Sequence, residues 1–139
     1  MIEIVLDTNV LVAAFRSSLG ASYRLLQTLE KRVWCPVISP ALAFEYEAVL
    51  KRGTGEAGLT LEDVDEFIEY LCSRSRLVQI YFRWRPTLPD PNDDRILEVA
   101  VRTRSTIVTF NTKDFVGAER FGIRVISPKE LLTLVGGMG

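Results

Sequence analysis

The chain has 139 residues, 47% of them apolar and 25% charged, which is enough for one buried core and too little for two. Its net charge of −1, from 17 basic and 18 acidic side chains, creates no whole-molecule field for nucleic acid, so any such attraction has to be local. Histidine is absent, which removes Ser-His-Asp and Cys-His catalysis, imidazole acid/base chemistry and histidine-bound zinc, and leaves the chemistry to carboxylates, hydroxyls and cations.

Ile2–Leu6 is a short apolar run ended by Asp7-Thr8-Asn9, the pattern of a buried strand followed by a polar turn. The start has no basic segment, and Asp7 interrupts the apolar run where a signal peptide would continue, so the expectation is a cytoplasmic protein. No charge-free run is long enough to span a bilayer, and no membrane partner is expected. Val10–Phe15 reads as a short helix, and Ala21–Lys31, with Leu25, Leu26 and Leu29 at helical spacing, as another. Val33–Ile38 is a second strand broken by Pro36. Ser39-Pro40 combines an N-cap with proline at the first helical position and opens a helix to about Arg52. Glycine-rich residues 53–58 read as a flexible connection, the only linker-like stretch.

Thr60 and Asp63 form a capping-box pattern ahead of the apolar stripe Val64, Phe67, Ile68 and Leu71. Leu77–Phe82 is a third strand, Pro86–Asp93 a polar loop, Asp94–Arg104 a helix and Thr106–Phe110 a β-branched strand. A short helix over Asp114–Arg120 and a strand at Arg124–Ile126 follow, and Ser127-Pro128-Lys129-Glu130 caps a last helix ending near Gly136. Cys35 and Cys72 lie far apart among apolar neighbours and read as reduced core thiols. Strands apolar on both faces, alternating with helices, predict an α/β fold, a three-layer α/β/α sandwich around a mainly parallel sheet. One domain over 1–135 and a short flexible tail over 136–139 are expected.

In open parallel sheets ligands bind beyond the carboxyl ends of the strands, where the turn after Leu6 puts Asp7 and the turn after Phe110 puts Asn111 and Asp114. Asp7 has an equally ordinary reading as the N-cap of the next helix. Glu45 falls three residues after Leu42 and four before Val49, at the edge of an apolar stripe with Tyr46 and Leu50. A charge there needs a cation or an arginine partner. Asp90-Pro91-Asn92-Asp93-Asp94 precedes a helix whose dipole and cap favour acids, yet capping needs one acid and this loop offers three. Four acids after separate elements of a chain without histidine suit an all-oxygen site for Mg²⁺ or Mn²⁺.

Four segments then carry a resemblance. Ile4-Val5-Leu6-Asp7-Thr8-Asn9-Val10-Leu11, Ser39-Pro40-Ala41-Leu42 leading to Glu45, Asp90-Pro91-Asn92-Asp93-Asp94-Arg95-Ile96-Leu97, and Ile107-Val108-Thr109-Phe110-Asn111 with Asp114-Phe115 resemble the ordered motifs of the PIN domain. The likeness spans essentially the whole chain and is nearest to the bacterial, VapC-like branch of toxins of toxin–antitoxin systems. It implies a metal-dependent endoribonuclease, using Mg²⁺ or Mn²⁺, whose catalytic and metal-binding acids are Asp7, Glu45, Asp94 and Asp114. Asn111 puts an amide where the family often has an acid, so Asn111 and Asp93 stand as alternatives for the fourth position or as supporting groups. Thr8, Asn9 and Thr109 match polar positions that support the carboxylates. The resemblance also implies a cognate antitoxin and a homodimer.

In that reading, bound metal lowers the pKa of a water and neutralises phosphoryl charge, while Glu45 is a ligand or assists in taking the proton. Arg16, Arg95 and Lys113 are better placed near the acids and are RNA-contact candidates or charge balancers. Tyr81-Phe82-Arg83-Trp84-Arg85 interleaves aromatics with Arg83 and Arg85, a composition that suits a single-strand contact but suits better a strand end packed in the core or an interface. Other readings are an RNA-processing nuclease outside any toxin–antitoxin pair, and a catalytically weak PIN-like interaction module. Phosphatase chemistry of the haloacid-dehalogenase kind needs a second Asp two residues after the first, where this chain has Asn9.

Overall fold

Strand β1 (Ile2–Leu6) has Ile4, Val5 and Leu6 essentially inaccessible, so it is covered on both faces, as its unbroken apolar run predicts. A computed structural model of the chain describes residues 1–17, 19–80, 88 and 90–136. After β1 come α1 (Thr8–Arg16), α2 (Ala21–Gln27), a 3-10 turn (Thr28–Lys31), β2 (Trp34–Ile38), α3 (Pro40–Arg52), α4 (Thr54–Ala57) and α5 (Leu61–Ser73). Then follow β3 (Arg76–Leu77), α6 (Pro91–Thr103), β4 (Thr106–Val108), a 3-10 helix (Thr112–Phe121), β5 (Val125–Ile126) and α7 (Pro128–Gly136).

The five strands are parallel in the order β3-β2-β1-β4-β5. The chain therefore adds β2 and β3 on one side of β1, then returns to add β4 and β5 on the other. Because parallel crossovers are right-handed, a reversal of direction sends the connecting helices to opposite faces. The packing agrees: α1 contacts α2 and α3, α3 contacts α5, and α2 contacts α7, whereas α6 packs on β1, β4 and the 3-10 helix. The result is the expected α/β fold with helices on both faces of a parallel sheet. Its switch point lies between β1 and β4, and ligands of such sheets bind at the carboxyl ends of the two strands there.

Side-chain caps open α3, α5, α6 and α7. Ser39 accepts from the Leu42 amide at 3.2 Å, and the Thr60–Asp63 and Ser127–Glu130 boxes each make both reciprocal bonds. Several boundaries differ from expectation. Pro36 does not break β2: the bond from the Val78 amide to Ile38 O shows that residues 36 and 38 turn their main-chain groups toward β3, and β3 begins only opposite Val37, so the missing N–H costs no ladder bond. The third strand is Arg76–Leu77 rather than Leu77–Phe82, and residues 81 and 82 lie outside the described part.

Helix α6 begins at Pro91, three residues before Asp94, because Asp90 caps it through the Asn92 amide at 2.9 Å and Pro91 fits its first turn. The expected helix over residues 21–31 tightens into a 3-10 turn at Thr28, whose hydroxyl bonds Leu25 O at 2.6 Å while accepting from Trp34 Nε1 at 2.8 Å. Residues 53–58 hold a helical turn closed by Gly58 at φ 71 rather than a purely flexible connection. Strand β4 stops at Val108 and the following helix is of 3-10 type, kinked at Phe115. Cys35 and Cys72 are free thiols but half-buried rather than fully in the core. None of the described helices is long and apolar enough to cross a membrane.

Candidate active site

Asp7 stands at the end of β1, beside the switch point, and is 8% exposed. Its backbone occupies the N-cap position of α1, yet its side chain makes no capping hydrogen bond. Instead the Thr109 hydroxyl donates to Asp7 Oδ2 at 2.7 Å from the segment after β4. Thr109 is itself inaccessible and serves as a hub, because its oxygen also accepts from the Asn111 amide at 3.0 Å and from Asn9 Nδ2 at 3.5 Å. Burial pushes the Asp7 carboxyl above the usual carboxylate range; the Thr109 bond and the Thr8 and Asn9 amides oppose that rise, and Asp114 adds to it.

Glu45 extends from the middle of α3 and is half-buried. Burial raises its carboxyl pKa, the Arg95 charge opposes this, and Asp7 and Asp90 raise it further. Arg95 offsets the charge only in part, and Glu45 Oε2 is buried with no hydrogen-bond partner. Asn9 Oδ1, on α1, is a second buried oxygen without a partner.

The acidic start of α6 divides its work. Asp90 is the cap, and buried Asp94 accepts from the Leu88 amide through Oδ1 at 2.9 Å, tying the loop to the helix. Asp93 is the acid turned into the field of the others. Burial comes first, then the charges of Asp7, Asp90, Asp114 and Asp94, and its pKa is pushed up to about 7. Asp114 is exposed on the 3-10 helix and shares an open cleft of about 460 Å³ with Asp90, Asp93, Lys113 and Leu88. The structure thus brings Asp7, Glu45, Asp93, Asp94 and Asp114 within one electrostatic neighbourhood, in which Asp94 also holds the Leu88 amide. Asn111 contributes its main chain, donating to Thr109 and accepting from the Asp114 amide at 3.0 Å.

Among the basic candidates, Lys113 lines the acidic cleft, Arg95 lies beside Glu45, and Arg16 lines a groove along α1. Arg83 and Arg85 lie outside the described residues. One residue at the site had no assigned role in the sequence. Tyr46, buried on α3, donates its hydroxyl to Leu6 O, the last carbonyl of β1 before Asp7. The signal was a tyrosine inside an apolar stripe, since a buried phenol needs an acceptor.

Oxygen-only donors, two orphaned buried oxygens and three acids whose carboxyls burial and mutual repulsion push up are the chemistry a hard divalent cation relieves. The residues fit such an ion by type, although among the described residues no three acids already converge into a metal cage. Such an ion would be held by Asp7 and Glu45 together with acids from the start of α6 and from Asp114.

Solved structures of similar shape include VapBC2 from Rickettsia felis bound to a DNA fragment of its promoter, at 19% identity and TM-score 0.56, covering 91% of this chain and 98% of that one. VapBC-1 from nontypeable Haemophilus influenzae gives 18% identity and TM-score 0.56, covering 92% and 99%. A PilT N-terminus domain protein from Sulfolobus solfataricus gives 13% identity and TM-score 0.58, covering 95% and 92%. No curated protein matches the chain in sequence. The family model described as PIN domain matches residues 3–113, which takes in β1 with Asp7, Glu45, the start of α6 and Thr109, and on that match this chain belongs to the PIN domain family.

Proposed function

We propose that this chain is a metal-dependent endoribonuclease that hydrolyses RNA phosphodiesters, and that it is the toxin of a type II toxin–antitoxin pair. The observation that carries the reading is Asp7, fixed by Thr109 at the switch point of the sheet, among Glu45, Asp93 and Asp114, with Glu45 Oε2 buried and unpartnered. Mg²⁺ or Mn²⁺ bound there supplies a water of lowered pKa and neutralises charge on the phosphoryl oxygens. Asp7, Asp94 and Asp114 serve mainly to hold the ion, with Asp93 as the further acid of the same neighbourhood. Glu45, with its carboxyl pushed up and one oxygen free of hydrogen bonds, is suited to take a proton from the attacking water. Thr109, Asn9 and Thr8 hold Asp7 in place, and Lys113 and Arg95 offset phosphate charge at the rim.

The toxin assignment rests on the likeness to VapBC proteins of two bacteria, and brings with it an antitoxin partner, a homodimer and a cytoplasmic setting. One domain is proposed to extend through residue 135, since α7 packs on α2 as part of the same body. The test compares wild type with Asp7→Asn and Asp94→Asn on mixed cellular RNA, with Mn²⁺ and with chelator. Cleavage that needs the metal and is lost in both variants is expected; metal-independent cleavage, or cleavage that survives both substitutions, overturns the reading. A second reading is a PIN-like interaction module, which Asn111 favours by placing an amide where an acid is expected. Calorimetric titration with Mn²⁺ separates the two, because a module binds no more metal as wild type than as Asp7→Asn.

A further inference from the structure

Each of the four strands around β1 is led in by an arginine. Arg76 opens β3, Arg32 stands two residues before β2, Arg104 two residues before β4, and Arg124 immediately before β5. In a parallel sheet such positions fall at the amino ends of the strands, whereas Asp7 lies at a carboxyl end and Asp114 follows the carboxyl end of β4. Strand β1 spans five residues, so the two ends of the sheet lie about 17 Å apart. In the order β3-β2-β1-β4-β5 the arginines run from edge to edge over four strand spacings, about 19 Å. All four are exposed. Arg102, on the last turn of α6, joins them, because it and Arg76 line one cleft of about 280 Å³ with Val78, Gln79 and Thr103. Arg76 also holds Glu3, at 2.8 and 2.9 Å. Among the described residues Arg32, Arg102, Arg104 and Arg124 are in no ion pair.

Two of these side chains are kept at a cost in backbone conformation. Arg32 and Arg104 cap the 3-10 turn and α6 at φ 56 and 55, the left-handed region that L side chains disfavour. At two other caps the chain uses glycine, Gly58 and Gly122, at φ 71 and 73. A line of guanidinium groups suits a linear polyanion, and the Gln79 amide adds a donor of the kind that meets phosphate and sugar oxygens. A protein interface is depleted of charge at its core and rests on apolar anchors, yet of the described residues lining the cleft only Val78 is apolar. The geometry points to an RNA-binding face along the amino ends of the strands, in which Arg32, Arg102, Arg104 and Arg124 hold the phosphodiester backbone of a single strand away from the acids. This face supplies the local attraction that a net charge of −1 denies the molecule as a whole. It goes beyond the ribonuclease reading, since it needs neither the acids nor a metal.

The test measures, by fluorescence anisotropy over a series of salt concentrations, binding of a labelled single-stranded RNA of about twenty nucleotides in chelator, where no metal-dependent cleavage intervenes. Arg102→Ala is expected to lower the slope of log K against log salt by about 0.7, and the double variant R32G/R104G by about 1.4, with affinity down roughly twentyfold at about 0.1 M salt. Glycine suits the left-handed backbone, so R32G/R104G should melt at or above the wild-type temperature, which separates lost binding from lost folding. Lys129→Ala makes the same charge change as R102A at the other end of the sheet, where α7 starts after β5, and should keep the wild-type slope. A wild type that does not bind the RNA in chelator overturns the face, as does binding by R102A and R32G/R104G that matches K129A. Polyglutamate of equal charge bound as tightly as RNA overturns the nucleic-acid assignment and gives the face to an acidic protein. RNA bound in chelator yet left uncut when Mn²⁺ is added overturns the ribonuclease reading and leaves the face standing.

Discussion

Thr109→Val is the sharpest probe of how the site is held. The substitution keeps the β-branched shape, so packing is nearly conserved, but it removes the 2.7 Å donor to Asp7 Oδ2 and the acceptor for the Asn111 amide. Thr109 is inaccessible and Asp7 is 8% exposed, so water cannot replace either bond without opening the structure. A hydrogen bond to a buried charged group contributes about 1.5–3 kcal/mol. At roughly 3 °C per kcal/mol for a chain of this size, the melting temperature near pH 7 should fall by about 5–9 °C. Asp7 also loses the largest influence opposing its raised pKa, so its carboxyl moves further up. The penalty should shrink at low pH, where Asp7 is protonated and the lost bond is neutral. Thermal melts at two pH values, with RNA cleavage in Mn²⁺ alongside, provide the readout, and loss of a group that orients an acid of the site should cost about 10–100-fold in activity. A melting temperature within a degree or so of wild type at neutral pH would refute the assignment of Thr109 as the hub.

Two further outcomes follow from the same electrostatics. Asp93→Asn should raise the melting temperature of the metal-free protein at pH 7.5, because it removes a charge that four neighbouring acids oppose, whereas Asp94→Asn should lower it by weakening the charged acceptor for Leu88 N–H; equal shifts would show that the two acids do not differ in role. Since Asp7, Glu45 and Asp93 all have folded pKa values above their unfolded ones, the folded state holds more protons between about pH 4 and 7, and stability must fall as pH rises through that window. Urea midpoints across that range in chelator should show the fall, and Mn²⁺ should reduce it; a flat profile in chelator would remove the repulsion on which the site reading depends. Tyr46→Phe leaves the Leu6 carbonyl without its donor and should cost about 1–3 kcal/mol in urea unfolding, while an unchanged midpoint would show that water reaches that carbonyl.

The fold was largely legible because its signals are local. The uncharged run Ile4–Leu6, the Ser39-Pro40 start and the two capping boxes each act within a few residues, and each is where the chain turns from one element to the next. Boundaries failed where a contact outside the element decided them. The Thr28 hydroxyl accepts from Trp34, six residues on and in the next strand, which no helical periodicity announces, and the neighbour that makes Pro36 harmless is a strand 40 residues away. At the site, the positions of Asp7 and Glu45 could be read from strand ends and helix faces. The division of labour between Asp93 and Asp94 could not, because it depends on where the helix starts: with Asp90 as cap, Asp94 is left facing the amide of Leu88 and Asp93 the cluster.

The carboxyl end of β1 is consequently held from both sides of the strand. Its last carbonyl, on Leu6, lies past the β1–β2 ladder, whose register ends at Ile4 opposite Pro36, and is taken by Tyr46 from α3. Its following residue, Asp7, is bonded to the β4 side through both its amide, to Val108 O at 2.9 Å, and its carboxylate, to Thr109. Tyr46 immediately follows Glu45, and Thr109 immediately follows β4, so the groups that fix the end of β1 also set the helix and the loop that carry the other acids. A shift of α3 would move Glu45 relative to Asp7, and a shift of β4 would move Asp114. That coupling ties the spacing between Asp7 and the other acids, and so the repulsion among them, to the two hydrogen bonds that fix the end of β1.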